Sequence, residues 1–361
     1  MAANRVYRDG VLAGEDVAED ELAALLREGS ALVWLDLPAP SRSTLERLAD
    51  KLGLHELAVE DAGQERQRPK LDRYDNHLFL VVFATSLRTA VSGPAGAAGD
   101  RTGMDTAPVA RSGPGGTTPA PGQQGDDAEG RVHLSEVDVF VTANALITVR
   151  RSPGLDLDRL RDRWDTGPGR DAQTVDSLLY GLLDVVVDGH FDVVQSFDDQ
   201  LEDLETMLFE EHTDMRRAQR VSFRTRKDML AVRRVVLPMR EVLGGLMRDS
   251  TGLVGDRMTP YYQDVHDHVL RATEWLEGVR ELASTLRETQ LALQGNRLNV
   301  VMKKVTSWAA IIAVPTAITG FYGQNLPYPG YLDHGGVVTS SILIVVTSVA
   351  LYLLFTRRGW L

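Results

Sequence analysis

Two runs without a charged residue lie close together near the end of this chain of 361 residues. Residues 305–322 read VTSWAAIIAVPTAITGFY, and residues 337–355 read VVTSSILIVVTSVALYLLF. Each approaches the roughly 20 apolar residues needed to cross about 30 Å of hydrocarbon. A buried core helix is the other reading of such runs. Their placement argues against it, because only a short loop, GQNLPYPGYLDHGG, separates them. Lys303 and Lys304 precede the first run, Arg357 and Arg358 follow the second, and the loop carries no Lys or Arg. The positive-inside rule then sets both termini in the cytoplasm and the loop outside. The opening MAANRVYRDG has no apolar stretch and does not read as a signal peptide. A two-span protein of the plasma (inner) membrane, seated in the lipid bilayer, is the expectation.

The rest of the chain reads differently, as the mean hydropathy of −0.16 implies. Acidic residues outnumber basic ones by 51 to 39, a net charge of −12, which argues against nucleic acid as a partner. The absence of cysteine excludes disulfides and thiolate metal sites. Residues 1–170 read as a cytosolic α/β domain. ALVWLDL (31–37), HLFLVVFATSL (77–87) and EVDVFVTANALITVR (136–150) are strand candidates, with a turn at Asn144–Ala145. STLERLADKLGL (43–54) is an amphipathic helix opened by a Ser cap. Residues 91–130 are so rich in Gly, Pro, Ala and Thr that they read as a disordered insertion, a functional linker being the alternative.

From residue 171 the pattern turns helical. Residues 171–258 read as an antiparallel pair, the first helix acidic (174–209) and the second basic (215–249). Residues 259–322 then show no helix stop before Pro315, so a stalk helix of about 63 residues, roughly 95 Å long, continues into the first span. Gly295 inside it needs a packing or bending reason. Residues 323–336 form the outer loop, 337–356 the second span and 357–361 a basic cytosolic tail.

Two spans serve as an anchor more often than as a pore. The first span nevertheless carries a stripe at spacings of three or four, formed by Asn299, Met302, Val305 or Thr306, Ala309, Ala313 and Thr316. Small, weakly polar residues on one face suit close helix packing and equally suit a pore lining. One helix encloses nothing, so conduction needs several copies around an axis. Gly323, Gln324 and Asn325 follow the span, and symmetric copies would ring the entrance with neutral oxygens. Such a collar can hydrogen-bond the water shell of Mg2+, a small ion that dehydrates reluctantly. Carboxylates there would hold the ion too tightly for it to leave.

NVVMKKVTSWAAIIAVPTAITGFYGQN (299–325), followed by a second span and a terminal RRGWL, resembles the CorA family of magnesium and cobalt channels. The family signature runs from Asn-x-x-Met-Lys through Pro-Thr to Tyr-Gly-Met-Asn. TPYYQDVHDH (259–268) resembles its stalk start, and LGLHELAVEDAGQERQRPKLDRYDNHLFLVV (52–82) its first-domain segment. The resemblance implies a funnel-shaped homopentamer with an α/β cytosolic domain, a long-helix stalk and a two-helix transmembrane hairpin. It implies that Gly323 and Asn325 form the outer selectivity collar, in which Gln324 takes the middle place. It further implies that Asn299, Met302, Ala309 and Thr316 line the pore, with Met302 in a hydrophobic gate. Asp264 corresponds to a stalk carboxylate that binds regulatory Mg2+ between subunits, and Glu288 stands where the family often has an Asp near the gate. His268, one turn from Asp264, is a further candidate ligand. The family's Met is Gln324 here, and the zinc-transporting ZntB branch departs at the same position, with Ile.

Taken alone, DVHDH also reads as a solvated stalk surface. No P-loop lysine motif, HExxH or Gly-x-Ser-x-Gly is present, so the sequence offers no machinery for ATP hydrolysis or other catalysis. The reading is a non-enzymatic channel for divalent cations, Mg2+ foremost and Co2+ with it, gated by intracellular Mg2+. A ZntB-like zinc transporter and a membrane-anchored scaffold or sensor are the alternatives.

Overall fold

The computed structural model describes residues 3–8, 11–29, 31–64, 67–87, 132–166, 174–209, 214–249, 251–324 and 334–361. The insertion proposed at 91–130 and the collar residue Asn325 lie outside them. The chain divides into two compact units, Met1–Ala283 and Ser284–Leu361.

The first unit is built on a mixed sheet of seven strands: β1 (Ala3–Arg8), β2 (Val11–Glu15), β3 (Leu32–Pro38), β4 (Lys70–Arg73), β5 (Leu78–Leu87), β6 (Val132–Val141) and β7 (Ala145–Arg150). Their order is β2-β1-β3-β7-β6-β5-β4. Among the described residues only β3 and β7 run parallel, with Val33 opposite Ala145 and Leu37 opposite Val149. β5 is buried from Leu78 through Thr85, a continuous run that marks a strand covered on both faces. It pairs with β6 over ten residues, from Leu78–Val141 to Leu87–Val132. A polar chain crosses the parallel pair. Trp34 Nε1 donates to Thr148 Oγ1, Thr148 donates to Asp36, and Arg150 grips Asp36 with two hydrogen bonds of 2.7 and 2.5 Å. Asp36 is buried, and this bidentate pairing keeps its charge compensated.

Helices α1 (Glu19–Glu28), α2 (Arg42–Leu52), α3 (Glu56–Gly63) and α4 (Leu157–Thr166) flank the sheet. The Ser cap of α2 is Ser41, whose Oγ accepts from Thr44 N, two residues before the Ser43 that the sequence suggested. Ser41 has the extended backbone that a cap needs, whereas Ser43 already lies inside the helix.

The acidic and basic helices are α5 (Val175–Phe209) and α6 (Met215–Leu246), and α7 (Thr259–Tyr322) follows them. The sequence set residues 171–258 apart from the α/β domain, yet one core spans both. Leu179, Leu182, Leu183 and Val186 of α5 pack with Leu80 and Val82 of β5, Leu243 of α6, and Tyr262 and Val269 of α7. The reason is visible in α5, whose first four turns are apolar nearly all round and need a sheet as well as a partner helix. Polar contacts lock the same junction. Trp164 Nε1 donates to Leu178 O at 2.8 Å, and Tyr262 Oη donates to Asp176 O at 2.8 Å.

The second unit holds the rest of α7 and helix α8 (His334–Arg357). α8 thus begins within the loop expected at 323–336. Both helices are long and apolar enough to cross a membrane. At Gly295 a Cβ would meet nothing within 4 Å, so packing in the single chain does not explain that glycine.

Candidate ion pathway and cation cluster

In the second unit α7 has two unlike faces. Ser307, Ile311, Val314, Ile318 and Tyr322 are covered positions at spacings of three and four, with Ala310 and Pro315 half-covered beside them. Gly336, Ser340, Ile344, Thr347, Leu351 and Phe355 form a matching covered stripe on α8. These stripes are the least exposed sides of the two helices of this unit. Asn299, Met302, Val305, Thr306, Ala309, Ala313 and Thr316 are all exposed. At about 100° per residue, the stripe from Met302 to Thr316 points on average roughly 170° away from the covered stripe. The sequence-predicted pore face is therefore the exposed face of α7 in this unit.

That open face also has a repeat that the spacing of three and four concealed. Leu291, Leu298, Val305 and Ile312 recur every seventh residue and are 58, 66, 58 and 64 % exposed. Gly295, Met302, Ala309 and Thr316 recur at the same interval beside them. A strict seven-residue repeat is the signature of identical helices packed around a common axis. The sequence reading singled out half of this seam and missed the other half, although the repeat was there to be counted.

Gly323 follows the end of α7, and its N–H donates to Thr319 O at 2.8 Å. A Cβ at Gly323 would sit 3.1 Å from that carbonyl, so the residue suits a tight exit from the helix. Gln324 N donates to Phe321 O at 3.3 Å and its residue is exposed. Inside the span Pro315 removes the amide that would serve the Ile311 carbonyl, and Thr316 Oγ1 donates back to Ile312 O at 2.9 Å.

The first unit gathers a separate set of cation ligands. Asp184 and Asp188 of α5 and His268 of α7 each offer a ligand atom within 4.8 Å of the others. Asp264 lies beside them, 3.9 Å from His268 Nε2. Asp184 is buried and paired with Arg163. Burial raises its pKa, Arg163 opposes the rise, and the nearby Asp188 and Asp264 charges add to it. Two carboxylates and an imidazole suit a divalent cation, and the imidazole favours Zn2+ or Co2+ over Mg2+. The structure thus brings together two of the three residues named for regulatory metal. Glu288 lies in the second unit and is exposed, outside this cluster. Asp184 and Asp188 escaped the sequence reading. Their signal was a pair of acids one turn apart in the most apolar stretch of α5, DVVVD.

A family model described as CorA-like Mg2+ transporter protein matches residues 29–94 and 120–358. The cobalt/magnesium transport protein CorA of Thermotoga maritima is 25% identical over 339 residues, covering 93% of this chain and 85% of that protein. The zinc transport protein ZntB of Yersinia pseudotuberculosis is 22% identical over 229 residues, 63% of this chain and 68% of its own length. Among solved structures, the complete CorA magnesium transporter of Methanocaldococcus jannaschii superposes with a TM-score of 0.71 at 19% identity, covering 100% of this chain and 99% of that one. The shared architecture is an N-terminal α/β domain, a long helix and two C-terminal apolar helices.

Proposed function

Because the chain belongs to the CorA-like Mg2+ transporter family, we propose that it conducts Mg2+, and with it Co2+, into the cytoplasm as a homopentamer of the inner membrane. The observation that carries this reading is the exposed face of α7. It offers a seven-residue seam of small, apolar and weakly polar side chains, exposed in this unit and free of charge from Val305 to Thr316. Copies packed on that seam would surround an axis lined by Asn299, Met302, Thr306, Ala309, Ala313 and Thr316. Met302 and Val305 would form a narrow apolar constriction that gates by dewetting. At the outer end Gly323, Gln324 and Asn325 would present carbonyl and amide oxygens to a hydrated cation.

No energy source beyond the membrane potential is required. A divalent ion falling through about 100 mV gains roughly 4.6 kcal/mol. Intracellular Mg2+ closes the pathway in this scheme by bridging carboxylates around Asp264, Asp184 and Asp188. Asp184 pairs with Arg163 and Asp188 with Arg159, so a cation would add the Asp264 side to groups already held on α5, and metal loss would free that side to move.

Zinc transport is the second reading. The similarity to ZntB, the departure at Gln324 and the imidazole of His268 each favour it. Uptake into liposomes separates the readings, with Mg2+ and Zn2+ compared and cobalt hexaammine used as a mimic of a hydrated ion. The channel reading expects Mg2+ uptake that cobalt hexaammine blocks and that Asn325→Ala nearly abolishes. Zinc preference with a proton dependence would favour the second reading. A mere membrane anchor would show no flux for Asn325→Ala to alter.

A further inference from the structure

The first unit contains a groove of about 1060 Å3 between α6 and the strands β5 and β6. Four arginines reach its lining, Arg68, Arg151, Arg233 and Arg234, against a single carboxylate, Glu136. This concentration of positive charge stands out on a chain whose net charge is −12. The arginines come from opposite walls. Arg68 and Arg151 belong to the sheet side, while Arg233 and Arg234 project from α6.

Arg151 is the fixed member. One of its Nη atoms donates to Ala62 O at the end of α3, while its Nε is enclosed and meets no acceptor among the described residues. The charge of Asp138 on β6 acts on this guanidinium from within the sheet, and Arg151 also lines the groove. Arg233 Nε donates to Glu277 of α7 at 2.6 Å. Arg68 and Arg234 are exposed and show no ion pair among the described residues. Glu136 accepts from the backbone N–H of Gln67 at 3.3 Å.

We propose that this groove binds a small phosphate-bearing anion of about nucleotide size. Planar guanidinium forks match phosphate oxygens bidentately, and the volume equals that of a large small-molecule site. Charges converging across a concavity favour a compact ligand. An extended polyanion would need a flat basic stripe and would meet the field of an acidic chain. A bound phosphate would share Arg233 with Glu277, so occupancy would reach the packing of α6 against α7.

The test is calorimetric titration of the full chain in detergent with EDTA present, using inorganic pyrophosphate and adenosine triphosphate as separate probes. Saturable binding of both at similar affinity assigns recognition to phosphate alone; tighter binding of the triphosphate adds the nucleoside. In either case Arg68→Ala/Arg234→Ala should weaken binding about tenfold, as the loss of two exposed charge-assisted contacts implies, with an unchanged circular dichroism spectrum. Arg234→Glu, a surface change, should weaken it further. The proposal is overturned if neither probe binds at millimolar concentration, or if both variants bind as the unaltered chain does. Neither readout depends on ion flux.

Discussion

His190 shows how a single buried side chain ties this fold to pH. It sits on α5 with no exposed surface, and its Nε2 lies 3.0 Å from the carbonyl of Phe83 on β5. Burial pushes its pKa down to about 4 from 6.5, and the hydrogen bond to Phe83 only partly opposes this. The unfolded chain therefore takes up a proton between pH 6.5 and 4 where the folded chain does not. Stability from this site is complete above pH 6.5 and falls as the pH drops toward 4, by about 3 kcal/mol across the window. Asp138 of β6 acts in the opposite sense. Burial, with Glu136 adding to it, pushes its pKa up to about 8, so its contribution falls as pH rises from 3.8 toward 8. Comparison with His190→Gln isolates the histidine, since glutamine keeps a donor for Phe83 and does not titrate. In thermal melts of the full chain in detergent, the unaltered protein should lose more stability from pH 6.5 to 4 than the variant. Parallel losses would mean that His190 is not the titrating group.

At the scale of elements, the junction of α5 and α7 is where the cation cluster meets the stalk. Millimolar Mg2+ should protect the cytosolic unit from limited proteolysis, and Asp264→Ala or Asp188→Ala should each weaken that protection. Glu288→Ala should not, because Glu288 stands outside the cluster. Equal protection in all three variants would remove the cluster from the gating scheme. The long helices were readable from sequence because a 3.6-residue apolar period sustained over many turns has one structural solution. Pro260 near the start of α7 and Phe209 at the end of α5 fall at the boundaries the pattern suggested. The short elements β1, β2, β4, α1, α3 and α4 were not read, since four to ten residues carry too little period to stand out. The cation cluster was half readable. Asp264 and His268 share a helix turn, but Asp184 lies 80 positions earlier, and only the packing of α5 against α7 brings it near.

At the scale of the molecule, the second unit is apolar on the outside and poorly covered within. Met302, Val305 and Ile312 are each more than half exposed, on a helix whose other face is less exposed. Lipid would satisfy such a surface, and so would further copies of α7; the seven-residue repeat favours the copies. The chain has no cysteine, so single cysteines report accessibility without background. The most direct measurement compares Ala309→Cys, on the open face, with Val314→Cys, on the covered face, during Mg2+ uptake into liposomes. A water-soluble charged thiol reagent should block uptake through Ala309→Cys and leave Val314→Cys conducting. Uptake that survives the reagent at Ala309→Cys but stops at Val314→Cys would contradict the assignment of the open face of α7 to the ion pathway.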